Sequence, residues 1–145
     1  MMITFAFFGL LFFEACIRFT PAALEQPAAV LERAILCNRV DAQNGWAEPS
    51  AEQKIFVKGK DNHVFSFLEI RDLRDKHSLH WKWYDSSRRL SRAAEKITIG
   101  EKGKFFKKYI AWDQVSISEE KEIGVWTVAI FLDDRLVASR VFEIR

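Results

Sequence analysis

Gly124-Val-Trp-Thr-Val-Ala-Ile-Phe-Leu-Asp-Asp-Arg-Leu-Val-Ala-Ser-Arg-Val-Phe-Glu-Ile-Arg145 reads as a hairpin of two long strands around Asp133-Asp134-Arg135. Alternate residues of a strand share a face. Trp126, Val128, Ile130 and Leu132 therefore form one apolar set, opposite a mixed set of Val125, Thr127, Ala129 and Phe131. In the second strand Leu136, Ala138, Phe142 and Ile144 share a parity, and Arg140 is the dissenter. A loop over 133–135 pairs Leu132 with Leu136 and Trp126 with Phe142, bringing both apolar sets to one face. A two-residue loop pairs Leu132 with Arg135 and Val128 with Ser139, mixing the faces. Register decides which face is buried, so the expectation is the longer loop, with Asp134 or Arg135 at positive φ in place of the missing glycine.

Working outward, several more strand patterns appear. Ser78-Leu-His-Trp-Lys-Trp-Tyr84 alternates Leu79, Trp81 and Trp83 against His80, Lys82 and Tyr84. His63–Arg71 puts Val64, Leu68 and Ile70 on one face and Phe65 and Phe67 on the other. The charged stretch 72–76 between them reads as a loop, and residues 44–50 read as a turn containing Gly45 and Pro49. Further strands are expected at 32–41, 54–58, within 90–99, at 105–112 and at 115–118. With 13 Phe, 5 Trp and 2 Tyr in 145 residues, the composition favours pleated, half-buried surfaces. About seven to eight short strands without an amphipathic helix between them predict an antiparallel, immunoglobulin-like β-sandwich over 32–145. Its expected core is Trp83, Trp126, Val128, Ile130, Phe142 and Ile144.

The first thirteen residues, MMITFAFFGLLFF, are almost wholly apolar. Spanning a bilayer takes about 20 such residues, so residues 1–23 read as a signal peptide, a lipoprotein signal or a membrane anchor. Phe13-Glu14-Ala15-Cys16 resembles the lipobox of bacterial lipoproteins, with Cys16 the residue to be acylated. Residues 24–31 read as a linker or short helix. Cys37 sits among Ile35, Leu36 and Val40 and is expected to act as a small buried hydrophobe.

The chain carries a formal charge of +2, unevenly spread. Residues 82–108 hold nine basic and three acidic residues, a net +6 that leaves −4 elsewhere. Arg88, Arg89, Arg92, Lys104, Lys107 and Lys108 are the candidate face for an anionic ligand. His77-x-x-His80 has the spacing of a metal pair but points its rings to opposite faces of a strand. No P-loop, dinucleotide fingerprint, nucleophile elbow, H-E-x-x-H or C-x-x-C is present. No catalytic, metal or cofactor site is expected, and no nucleic-acid partner.

Trp83-Tyr84, Gly124-x-Trp126-x-Val128 and Phe142-x-Ile144 together resemble a bacterial cell-envelope domain family of unknown function. Ala34–Pro49 resembles its first strand and the following proline. Trp81-Lys82 stands where that family has His-Arg, so nothing resting on those two residues carries over. The resemblance spans about residues 32–145 and implies an immunoglobulin-like fold with no known reaction. The expectation is a non-catalytic, exported or lipid-anchored domain, periplasmic or membrane-anchored, that binds another envelope protein. The alternatives are a module for anionic glycan or lipid headgroups through 82–108, and an enzyme of unrecognised type.

Overall fold

The computed structural model describes residues 29–43, 45–118 and 120–145. The segment 1–23, Cys16 and most of 24–31 lie outside the described residues. The strands are β1 (Val30–Cys37), β2 (Val40–Gln43), β3 (Trp46–Pro49), β4 (Ile55–Phe56), β5 (His63–Tyr84), β6 (Leu90–Ala93), β7 (Ile97–Ser116), β8 (Gly124–Leu132) and β9 (Arg135–Ile144). β2 and β3 form a separate hairpin, and the other seven strands belong to one sheet that folds over itself into an all-β sandwich, as expected.

The fold-over is made by β5. Its first half pairs with β1 on one side and β7 on the other; its second half pairs with β8, β6 and the start of β7. The stretch 72–76 is thus a bend within one strand, where a loop was expected. Asp72 and Asp75 take φ of 53° and 62° there, a region that Asp tolerates better than most residues. Across this bend the inward parity switches, from Val64, Ser66, Leu68 and Ile70 to Leu73, Leu79, Trp81 and Trp83, all buried. β7 bends with it. Its pairing jumps from Arg74↔Phe105 to Asp75↔Glu101, looping out 102–104, and the Gly103 amide donates to the Asp75 carboxylate at 2.7 Å. Gly100, at φ 73°, is required here, since a Cβ would stand 2.1 Å from the Asp75 carbonyl oxygen. The strands expected at 105–112 and 115–118 are therefore one strand.

Two hydrogen bonds measure how completely β5 turns back. Fifteen residues of extended strand span about 50 Å, yet Trp81 Nε1 donates to Ser66 Oγ at 3.1 Å. Two residues on, Trp83 Nε1 donates to Asp113 Oδ2 at 2.7 Å, and Asp113 is the cross-strand partner of Ser66. Adjacent core indoles of one layer thus bond to adjacent residues of the other. Arg92, paired with Trp83 in register, clamps both oxygens of Asp113. A buried indole N–H needs such a partner; the third, Trp126, donates to the Glu122 carbonyl at 3.0 Å.

The closing hairpin has the predicted register by a different route. Trp126 faces Phe142 and Ile130 faces Ala138, but Leu132 pairs with Arg135 across a two-residue turn. Asp133 and Asp134 both have positive φ, 50° and 62°, as the hairpin turn that matches strand twist requires. A register shift beside Phe131 leaves Val137 as an extra residue and restores the faces. The turn was misread because alternation alone carries no sign of a bulge. Leu136, expected inside, is 60% exposed. Arg140 does face inward with Val128, and donates from Nε to the Ala34 carbonyl at 2.8 Å, satisfying a β1 group. Phe142 meets Trp83 at 6.0 Å and Phe56 at 5.7 Å, both edge-on. Trp83, Trp126, Val128, Ile130, Phe142 and Ile144 are each no more than 2% exposed.

The turn is tied to β5. The Asp133 carboxylate accepts from the Ser78 amide at 2.9 Å and contacts His77 Nδ1 at 2.6 Å, while His77 Nε2 meets the Arg74 carbonyl at 2.7 Å. Burial alone would lower the His77 pKa, but these two bonds and the Asp133 charge outweigh it and raise it above 6.5. Burial likewise works to raise Asp133, but the His77 and Ser78 hydrogen bonds win and hold it below 3.8. A raised histidine stabilises the fold below its unfolded pKa and ceases to as pH rises through the folded value. A lowered aspartate stabilises above its unfolded pKa and ceases to as pH falls through the folded one. The clamp is thus fully formed between about pH 4 and 6.5. Urea unfolding at pH 6 and pH 8 should show the protein more stable at pH 6, with the difference reduced in His77→Gln. An undiminished difference in that variant would place the titration elsewhere.

Candidate functional site

The two faces of the sandwich end differently. The outer face of the β1–β5–β7 layer carries Ile35, Cys37, Phe65, Phe67 and Ile110, and the β2–β3 hairpin lies over it through Val40 and Ala47. This is why Phe65 and Phe67 are apolar on the side away from the main core. It is also why residues 44–50, expected as a turn, contain a strand, and why the predicted strand 32–41 is divided between β1 and β2. Cys37 is fully buried in this second cluster. Burial pushes its thiol pKa up, and Sγ contacts the Arg39 carbonyl at 3.2 Å.

Where the hairpin tip meets β7 it leaves a cleft of about 520 Å³, lined by Ala42, Gln43, Trp46, Tyr109, Ile110 and Trp112 among others. A second recess of about 290 Å³ lies around the same Trp46, Ala47, Lys108 and Ile110, reaching Arg33, Glu48 and Glu69. Together they make a groove past Trp46. Trp46 is 63% exposed and Trp112 is 40% exposed, unlike the three core tryptophans. Lys108 Nζ lies 5.8 Å from the Trp46 ring centroid and 2.7 Å from Glu69 Oε1. An ammonium over an indole face is attracted by the ring quadrupole, so Lys108 steadies Trp46 while keeping a cation at the groove. Stacking surface, two cations (Arg33 and Lys108), two carboxylates (Glu48 and Glu69) and an amide (Gln43) suit recognition of an extended ligand better than bond-breaking chemistry.

The six basic residues singled out from sequence fall in three places. Lys104, Lys107 and Lys108 are on β7, with Lys104 paired to Glu101. Arg92 is held by Asp113, five residues up that strand from Lys108, or about 16 Å. Arg88 and Arg89 are in the turn after β5, where Arg89 pairs with Asp85 and Glu122. Only Lys108 borders the groove. His77 is taken up by the Asp133 clamp, and His80 stacks on Phe131 at 4.9 Å with its Nδ1 buried and unpartnered. Among the described residues, no group of three or more His, Cys, Asp or Glu is placed to hold a metal ion, and no helix is long and apolar enough to cross a membrane. Sequence reading passed over Trp46 and Trp112. Trp46 stood in an expected turn, and Trp112 stood at the end of an expected strand with no face assigned to it. The available signal was parity, because Tyr109, Ala111, Asp113 and Val115 share one face and Ile110 and Trp112 the other.

No family model matches the chain, and no curated protein matches it in sequence. Solved structures do match in shape. The alkylpurine DNA glycosylase AlkC of Pseudomonas fluorescens, bound to DNA with an abasic-site analogue, aligns at TM-score 0.51 and 8% identity, covering 81% of this chain and 30% of that one. An immunoglobulin-like protein of Pseudomonas aeruginosa aligns at TM-score 0.44 and 12% identity, over 81% of this chain and 96% of that one. A β-glucosidase of Kluyveromyces marxianus aligns at TM-score 0.42 and 11% identity, over 78% of this chain and 14% of that one. The chain thus spans under a third of the glycosylase, and at these identities the likeness is one of fold.

Proposed function

We propose that the protein is a non-catalytic, exported or lipid-anchored binding module of the bacterial cell envelope that engages another protein through the Trp46–Trp112 groove. The observation that carries this reading is the pair of exposed indoles bordering a groove, with Lys108 set against one of them. Tryptophan is costly to leave in water and is over-represented where interfaces concentrate their binding energy. The lipobox-like Cys16 and the apolar start of the chain support the envelope location. The test is a photo-crosslinking amino acid in place of Trp112 in the full chain, expressed in its own cells, with the same label at exposed Leu90 as control. The expected result is a protein adduct at position 112 and none at 90. Equal adducts at both positions, or a glycan adduct at 112, would contradict the reading.

A further inference from the structure

The groove runs along an unused strand edge. β7 pairs with β5 and with no other strand among the described residues, so the far edge of its 105–115 half has no strand beside it. The larger cleft is lined by Lys108, Tyr109 and Ile110 in succession. Lys108, Ile110 and Trp112, three of the β7 residues that line it, share the outer face, so the cleft opens on that face of the edge strand, under the hairpin and next to the free edge. Its opposite wall is the hairpin tip with Trp46.

The charge along this edge is one-sided. Lys102, Lys104, Lys107 and Lys108 follow one another on β7. Lys104 and Lys108 have carboxylate partners in Glu101 and Glu69, whereas Lys102 and Lys107 have none among the described residues. Lysines on an edge strand keep it from pairing indiscriminately. Here they also choose a partner. A second copy adding to the same edge would set Lys107 and Lys108 of both chains, four lysines, along one seam with Lys102 and Lys104 in the loop at its end, whereas an acidic strand would neutralise them.

Resting on the reading of the protein as a protein-binding module, we propose that the partner docks by strand addition. An extended acidic segment pairs with the free edge of β7 over 105–115, and its alternate side chains enter the groove between Trp46 and Trp112. Main-chain hydrogen bonds supply affinity and the groove supplies selectivity.

The experiment uses the full chain and a capped nonapeptide of alternating Glu and Val, followed by tryptophan fluorescence and amide hydrogen exchange. Controls are the same peptide N-methylated at alternate residues and the variant Lys102→Glu/Lys107→Glu, whose side chains are exposed and free of carboxylate partners. The expected result is saturable binding with new protection in 105–115 and none in 30–37, weakened about tenfold or more by N-methylation and by the double variant. Absence of binding, indifference to N-methylation, or protection on β1 would overturn strand addition. If a protein adduct still forms at position 112 in that case, the binding-module reading stands and only the docking mode falls. A neutral chito-oligosaccharide that alone quenches the tryptophans would overturn both.

Discussion

Trp126→Ala is expected to lower the free energy of unfolding by about 3–5 kcal/mol, the range for emptying a buried aromatic site. Trp126 is 1% exposed, lies 6.3 Å from Phe142 at a tilt of 31°, and has its N–H on the Glu122 carbonyl. Three terms therefore fall together: the buried area, the ring contact and the bond that holds the approach to β8. The site is poorly placed to collapse, because Val128 is fixed by ladders on both sides and Phe142 by its pairing with β8. Domains are stable by about 5–15 kcal/mol in all, so denaturant unfolding should show a midpoint shifted far down. A loss under about 1 kcal/mol would mean that the hairpin's inner face is not the one described.

Asp113→Ala is expected to cost about 2–4 kcal/mol, for a different reason. The substitution leaves the fully buried Trp83 with its N–H unbonded, a penalty of about 1–3 kcal/mol. Losing the Arg92 ion pair adds about 1 kcal/mol or less, since that side chain is 40% exposed and water screens it. The two parts separate in a cycle with Trp83→Phe, which keeps most of the core volume and removes the donor. In that background Asp113→Ala should cost less by about 1–2 kcal/mol. Additive losses would mean that the indole and the carboxylate act independently and that the two layers are not joined there.

These residues also mark the boundary of what could be read beforehand. The inward set of the closing hairpin, the Trp81–Trp83 parity and the sandwich class follow from period-two alternation, which is a local property. The roles of Ser66 and Asp113 depend on where β5 turns back, and that depends on two aspartates at positive φ inside a stretch that looked like an ordinary charged loop. The hairpin register was legible and its turn was not, because a bulge at Val137 satisfies the same faces with one residue fewer in the loop. The basic stretch 82–108 was visible as a charge count, but folding assigns its members to different tasks. Arg92 ties the layers, Arg89 closes a turn, and the lysines line an edge. The groove was illegible for a related reason. Trp46 and Trp112 are 66 residues apart, and they come together only because the β2–β3 hairpin is laid across the outer face of the β1–β5–β7 layer.

The central claim is that this groove is where the protein meets its partner. It is tested most directly by comparing the position-112 photo-crosslink in the otherwise wild-type chain and in Trp46→Ala, with a third label at Val125 on the outer face of the other layer. The account predicts a protein adduct at 112 that is lost or nearly lost in Trp46→Ala, while both chains unfold at similar denaturant concentrations because Trp46 is largely exposed. An adduct at Val125 and none at 112 would place the partner on the opposite face and contradict it.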